Sequence, residues 1–512
     1  MKKNQDISII SLIRCILFTM IFLLNSSNCV FAEIKTFVTE YTYQASDFDS
    51  KASSRTVALE TIKRLLLEKL GTYLISETEV KNFQFSKDQI TSYSAGIVSA
   101  DILEEKWDGK SYWLKAKVAA DPKEVEEALK KLAEDKSKLK ELEEMKDKAD
   151  ELTKENNRLR KMLEEAAKGK TQTVQEKAKI VKAYNETITG LSAANWFENG
   201  YKAYISGQYD EALNAFTKAI EINPKEARVY SNRGLSNSKL GQEQPAINDY
   251  TKAIELDPKI SVVYSNRGVS YNNLGNFQKA IDDYNKAIEL NPKYAEAFVN
   301  RGNSYSNLNK EQQAIKDYSK AIELNPQYSK AYYNKGVSYG KLGDFKQAVE
   351  EYNKAIELNP KYIEAYVNRG NSYSKLNDEK MAIVDLNKAI ELNPQLASAY
   401  YNRGNSYDTL GNFQQAIDDY KKSIELNPQN IDAYYNRGNA FSKSSKYQEA
   451  IEDYNKVIEA YPQDANAYVN RGFSYHQLHN EPKAIEDMKT AAKLGNKVSQ
   501  EMLTSNGISW QE

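Results

Sequence analysis

The chain has 512 residues, a formal net charge of −1, two cysteines and two histidines. That length exceeds one ordinary domain unless the chain is a repeat array, and near-neutrality without a basic run removes the electrostatic footprint of a nucleic-acid binder. Both cysteines, Cys15 and Cys29, lie within residues 1–32, so disulfides, thiolate catalysis and Cys-based metal sites are excluded from the remainder.

At the start, Lys2 and Lys3 precede an apolar core from Cys15 to Leu24, and Val30-Phe31-Ala32 makes a small-x-small site before Glu33. This is the pattern of a secretory signal. The core is too short to span a bilayer, and Arg14 interrupts any longer version. The expectation is cleavage after Ala32 and export to the periplasm or cell envelope, with no transmembrane segment left. Retention as an anchor, or lipidation at Cys29 after Ser26-Ser27-Asn28, are the alternatives.

Residues 33–121 read as a small α+β domain. Loose alternation from Lys35 to Tyr43 predicts a strand, and Val57, Ala58, Ile62, Leu65, Leu66 and Leu70 recur at helical spacing with Gly71 as a possible interruption or end. Ile97 to Trp107 and Ser111 to Val118 flank Asp108-Gly109, a two-residue hairpin turn whose residues must tolerate positive φ. The run ASSRTVALETIKRLLLEKLGTYLISETEV followed by ITSYSAGIV resembles the N-terminal domain of the flagellar assembly protein T family. That resemblance implies an envelope location and brings no catalytic residue.

Residues 122–168 have no glycine and no proline after Pro122, and are rich in charge of both signs. Leu142, Met145, Ala149, Leu152, Asn156, Leu159, Leu163 and Ala166 alternate at a and d positions, and Val125, Leu132 and Leu139 keep a seven-residue spacing in a shifted frame, so the seam is that of a coiled coil with a discontinuity. Asn156, at an a position, favours a parallel homodimer in fixed register. The other reading is a single helix packed on its own chain. Residues 169–192 read as a helical linker.

The remainder is periodic. Pro224, Pro258, Pro292, Pro326, Pro360, Pro394, Pro428 and Pro462 are spaced by 34 residues. Within the copy from Ala397 to Pro428, Tyr400, Gly404 and Tyr407 share one face of a first helix, and Ala416, Tyr420 and Ser423 share one face of a second. Period and content resemble the tetratricopeptide repeat. The expected fold is therefore mainly α: an α-solenoid of nine repeats over residues 193–496, preceded by the small α+β domain and the coiled-coil helix. Residues 497–512 would form a capping helix and tail.

The resemblance implies that the first helices line a concave groove, which places Asn232, Asn266, Asn300, Asn334, Asn368, Asn402, Asn436 and Asn470 in one ladder. Asn303, Asn371, Asn405 and Asn439, one turn further on, would widen it. Carboxamides both donate and accept, which suits them to an extended peptide backbone; bonding to the neighbouring repeat is the competing reading. Tyr333, Tyr401 and Tyr435, alternating with Val299, Val367 and Val469, would flank the track and favour apolar or aromatic ligand residues. The family's clamp for a C-terminal carboxylate needs a lysine one place before the ladder asparagine, where this chain has Ser, Val or Tyr.

Each repeat from the second to the ninth also carries a basic residue followed 16 residues later by an acid, as in Arg267 with Asp283 and Arg403 with Asp419. A structural ion pair between the two helices, or between adjacent repeats, is expected, rather than ligand binding. His476 and His479 stand at i, i+3 without a recognisable third metal ligand, and neither a phosphate-binding glycine loop nor a nucleophile elbow occurs. No cofactor, metal or enzymatic activity is expected. The reading is a scaffold of the bacterial cell envelope that binds a partner protein segment; its spacer-plus-repeats order is similar to the periplasmic coiled-coil proteins of the Tol system. The alternative is a structural component or assembly factor of an envelope machine, flagellar or Tol-type.

Overall fold

The computed structural model describes residues 34–77, 98, 100–121, 125, 136–167 and 173–511. The signal segment with Cys15 and Cys29, most of ITSYSAGIV and the seam residue Leu132 lie outside these. Two compact units are present, Met1–Pro258 and Lys259–Glu512.

In the first unit, β1 (Lys35–Gln44), β2 (Asp101–Trp107) and β3 (Ser111–Ala120) form an antiparallel sheet in the order β1-β3-β2, with Lys35 opposite Ala120 and Trp107 opposite Tyr112. The β2–β3 turn is built by Asp108, whose Oδ1 accepts the backbone N–H groups of Lys110 and Ser111 at 2.8 and 2.6 Å, while Gly109 takes φ +92°. The Ser111 hydroxyl and these N–H groups hold the Asp108 carboxyl at about 2. Helix α1 (Lys51–Glu77) covers the sheet with Val57, Ala58, Ile62, Leu66, Leu70 and Leu74, which meet Tyr112, Leu114, Ala116 and Val118 in one core. Gly71 does not end this helix. It is buried between Leu70 and Leu74, and their burial outweighs the ~1 kcal/mol that a helical glycine costs.

Helix α2 (Lys136–Ala167) and helix α3 (Val174–Ile205) pack side by side. The seam read as a coiled coil between chains is filled within this chain: Leu159 and Leu163 cluster with Ile180 and Tyr184, and Leu152 lies against Gly190. Asn156 is buried and its Nδ2 donates to Thr187 Oγ1 at 3.3 Å, so the amide that would register a parallel dimer is satisfied by α3. The described part of the expected helical linker over 169–192 is helical and belongs to α3. From Val174, capped by a reciprocal Thr173/Glu176 box, α3 runs on into the first helix of the array.

Polar bonds tie α3 to the small domain. The Tyr184 hydroxyl donates to Asp49 Oδ1, and the buried Lys63 ammonium on α1 donates to Asn195 Oδ1 at 2.5 Å and lies 3.5 Å from Glu198 Oε2. Burial alone would raise the Glu198 carboxyl, but Lys63 and Lys202 outweigh it and hold it at about 2.

The second unit repeats one motif: a first helix such as Ala397–Thr409, a tight turn, a second helix such as Phe413–Leu426, then the proline turn. The tight turn needs a left-handed residue, supplied by Gly275, Gly343 and Gly411 or by Asn309, Asn377, Ser445 and His479. Second helices pack on the next first helix. Consecutive first helices also touch one another, whereas consecutive second helices approach less closely, so the first helices line the inner side of this unit. Lys497–Ser505 closes it with Leu503 buried. Among the described residues no helix is long and apolar enough to cross a membrane.

Candidate functional site: the inner face of the array

The inner face rests on a repeated close contact. Gly404 backs onto Tyr420 so tightly that a Cβ there would lie 2.8 Å from the ring, and Tyr420 is only 1% exposed. Glycine is required because the aromatic of the second helix occupies the space a side chain would take. Tyr284, Tyr318, Tyr352 and Tyr454 are buried in the same way.

Burial pushes each of these phenols well above the ordinary value of 10.0. Their folded-state pKa exceeds the unfolded one, so the stability they contribute is complete below about pH 10 and is lost as pH rises beyond it. Raising the pH should therefore bring the last part of the phenolate absorbance in step with loss of helical circular dichroism. Phenolate absorbance complete a full pH unit before the helix melts would contradict this.

Arg403 explains itself by geometry. Its Nε and Nη2 donate to Asp419 Oδ2 and Oδ1 at 2.7 and 2.6 Å, and its Nη1 donates at 2.6 Å to Asn387 Oδ1 on the second helix of the preceding repeat. The guanidinium also lies 5.5 Å from the Tyr400 ring and 5.9 Å from that of Tyr407. Arg267 forks onto Asp283 at 2.8 and 2.7 Å, and Arg233, Arg301, Arg369, Arg437 and Arg471 repeat the pattern, with Lys335 to Glu351 at 2.8 Å in the fifth copy. Burial raises the Asp419 carboxyl and Arg403 draws it back, while Asp419 holds the Arg403 guanidinium up. Each of these pairs joins the two helices of its repeat, and Arg233, Arg301, Arg369, Arg403 and Arg471 also bond the preceding repeat.

The asparagines divide into two groups. Asn334 Nδ2 donates to Asn303 Oδ1 at 2.9 Å, which also accepts the Tyr318 hydroxyl at 2.8 Å. Asn436 donates to Tyr401 Oη and Asn405 Oδ1, Asn470 donates to Tyr435 Oη and Asn439 Oδ1, and Asn368 donates to Tyr333 Oη, all at 3.0–3.1 Å. Tyr420 and Tyr454 orient Asn405 and Asn439 at 2.8 Å. In this group the competing reading holds: the amide donors bond the neighbouring repeat. Tyr333, Tyr401 and Tyr435 are half-buried links of that relay. Asn232 is a correction to the ladder, being buried with its Nδ2 turned back onto Arg228 O at 3.1 Å. Val299 is another, fully buried beside Phe298 and Tyr318. The second group is Asn266, Asn300, Asn371 and Asn402, which are half-buried and whose side chains have no hydrogen-bond partner among the described residues.

Sequence reasoning missed the relay, although its signal was present as the tyrosines 15 residues after Asn303, Asn405 and Asn439 and 35 residues before Asn368, Asn436 and Asn470. His476 Nδ1 meets Glu481 Oε1 at 2.7 Å and His479 occupies a left-handed turn position. Among the described residues no group of three or more His, Cys, Asp or Glu side chains could hold a metal.

The tetratricopeptide repeat family matches residues 227–260, 261–294, 295–328, 329–362, 363–396, 397–430 and 431–464, and a second repeat profile of that family matches 200–241. No curated protein matches the chain. Among solved structures it is similar to YrrB, "a TPR protein with an unusual peptide-binding site" (28% identity, 37% of this chain and 97% of that one, TM-score 0.32), and to MamA (29%, 32% and 96%, 0.31). A third is a tetratricopeptide repeat protein from Parabacteroides merdae (23%, 49% and 99%, 0.40). The contiguous 34-residue matches coincide with the helix pairs described above, and the chain is a tetratricopeptide repeat protein.

Proposed function

We propose that this protein is a non-enzymatic scaffold of the cell envelope that holds an extended segment of a partner protein along its inner face. The repeats make it a protein–protein interaction scaffold, and the family is generally a non-catalytic interaction fold. The observation that carries the finer reading is the set of half-exposed carboxamides at Asn266, Asn300, Asn371 and Asn402, whose donors and acceptors remain available on a face otherwise satisfied internally. Export rests on the apolar core Cys15 to Leu24 and the Val30-Phe31-Ala32 site. Association through α2 is not part of the proposal, because α3 already fills its seam from Leu152 to Leu163.

The second reading, a fixed part of a flagellar or Tol-type machine, rests on the resemblance of the α+β domain to the flagellar assembly protein T family. Photo-crosslinking from Asn300 in cells, followed by mapping of the linked residues on the captured partner, separates the two. Links confined to one contiguous stretch support the scaffold; links scattered over a folded surface support the machine part. Capture of nothing from Asn300 or Asn402 would sink both.

A further inference from the structure

In the second unit four ladder asparagines have another asparagine 31 residues earlier, in the preceding repeat, which makes the pairs Asn303 with Asn334, Asn371 with Asn402, Asn405 with Asn436 and Asn439 with Asn470. Three of them close a hydrogen bond of 2.9–3.1 Å. The pair Asn371 with Asn402 does not. The cause is visible in two neighbours. Where Tyr318, Tyr420 and Tyr454 direct a hydroxyl onto the first asparagine, the sixth repeat has Leu386; where Tyr401 and Tyr435 offer a hydroxyl to the second, it has Val367. Both hydroxyls that would orient and engage this pair are absent together. Gly370 nonetheless remains opposite Leu386, with the smaller side chain's Cγ 3.2 Å from where a Cβ would stand, so the backbone space for a tyrosine is kept.

We infer that the junction of the sixth and seventh repeats is where the scaffold grips its ligand's main chain, with Asn371 and Asn402 bonding the N–H and C=O groups of an extended peptide. This rests on the groove reading above. The two carboxamides together offer N–H donors and carbonyl acceptors, which suits an extended residue that presents one N–H and one C=O outward. Asn266 and Asn300 lack this arrangement, since Leu235 and Val269 stand at the same offset. The apolar Val367 beside the pair favours an apolar ligand side chain at that point.

The test is built on restoring the missing hydroxyls. The double variant V367Y/L386Y should complete the relay and occupy both asparagines from within. Full-length protein is measured against an array of random-sequence decapeptides, printed also with single backbone N-methyl groups. The wild type should retain a subset of peptides, with affinity falling about ten-fold or more when one particular central amide is methylated. V367Y/L386Y should melt no lower than wild type and lose the same peptides, and Asn371→Ala and Asn402→Ala, which break no internal bond, should lose them too. Unchanged binding by the double variant or by both alanine variants overturns the inference. If Asn300→Ala removes binding while these variants do not, the groove reading stands and this location falls. If the wild type retains no peptide, both fall.

Discussion

Replacing Arg403 by Ala should destabilise the array by about 3–5 kcal/mol, because Asp419 would remain buried without its cation. Three charge-assisted bonds end on this guanidinium, two to Asp419 and one to Asn387 of the preceding repeat. The loss therefore strikes the fold of one repeat and its junction with the previous one. Stability in a repeat array is close to a sum of repeat and interface terms, so the variant should unfold in two urea transitions, divided near the sixth and seventh repeats. Arg403→Lys should cost less, about 1–2 kcal/mol, since an ammonium keeps the charge but cannot fork onto Asp419 and reach Asn387 at once. The chain holds a natural comparison: Lys335 pairs at 2.8 Å with Glu351, an acid one methylene longer than aspartate. Urea melts monitored by circular dichroism give the measurement. A loss below about 1 kcal/mol for Arg403→Ala, the range of exposed pairs, would mean that the pair does not hold the repeats together.

Gly404→Ala should cost about 1–3 kcal/mol by overpacking, even though alanine gains up to ~1 kcal/mol in helix propensity. The added methyl would lie 2.8 Å from Tyr420 Cε1. The ring cannot retreat: its hydroxyl is bonded to Asn405 at 2.8 Å, and the Tyr401 ring lies beside it, tilted by 51° with centroids 6.0 Å apart. Gly370→Ala supplies the contrast. Its nearest neighbours are Leu386 Cγ at 3.2 Å and Ala382 O at 3.3 Å, and a leucine side chain can rotate, so the net change should stay within about 1 kcal/mol. Equal losses in the two variants would show that the aromatic contact is not what demands glycine.

Much of this was open to the residues in order. The proline period located each second-helix end because proline cannot continue a helix, and the 16-residue spacing of Arg403 and Asp419 named both partners of an ion pair that one helix–turn–helix brings together. The fate of the α2 seam was not legible. Leu152, Asn156, Leu159 and Leu163 ask for a complementary surface, and a heptad does not say whose. Thr187 and Gly190 on α3 decide it, one by meeting Asn156 and the other by admitting Leu152.

The ladder divides in the same way. Helical angles alone put Asn402 and Asn405 on one stripe, away from Tyr400 and Gly404, and thereby determined which residues could serve the inner face. Whether their amides are available was decided elsewhere, by hydroxyls arriving from residues 15 and 35 positions away. Tyr420 and Tyr401 engage Asn405 and Asn436, whereas Leu386 and Val367 leave Asn371 and Asn402 unengaged. Local order sets the direction of a side chain through the geometry of its own helix; the tertiary structure alone assigns its hydrogen bonds, because their partners belong to other helices.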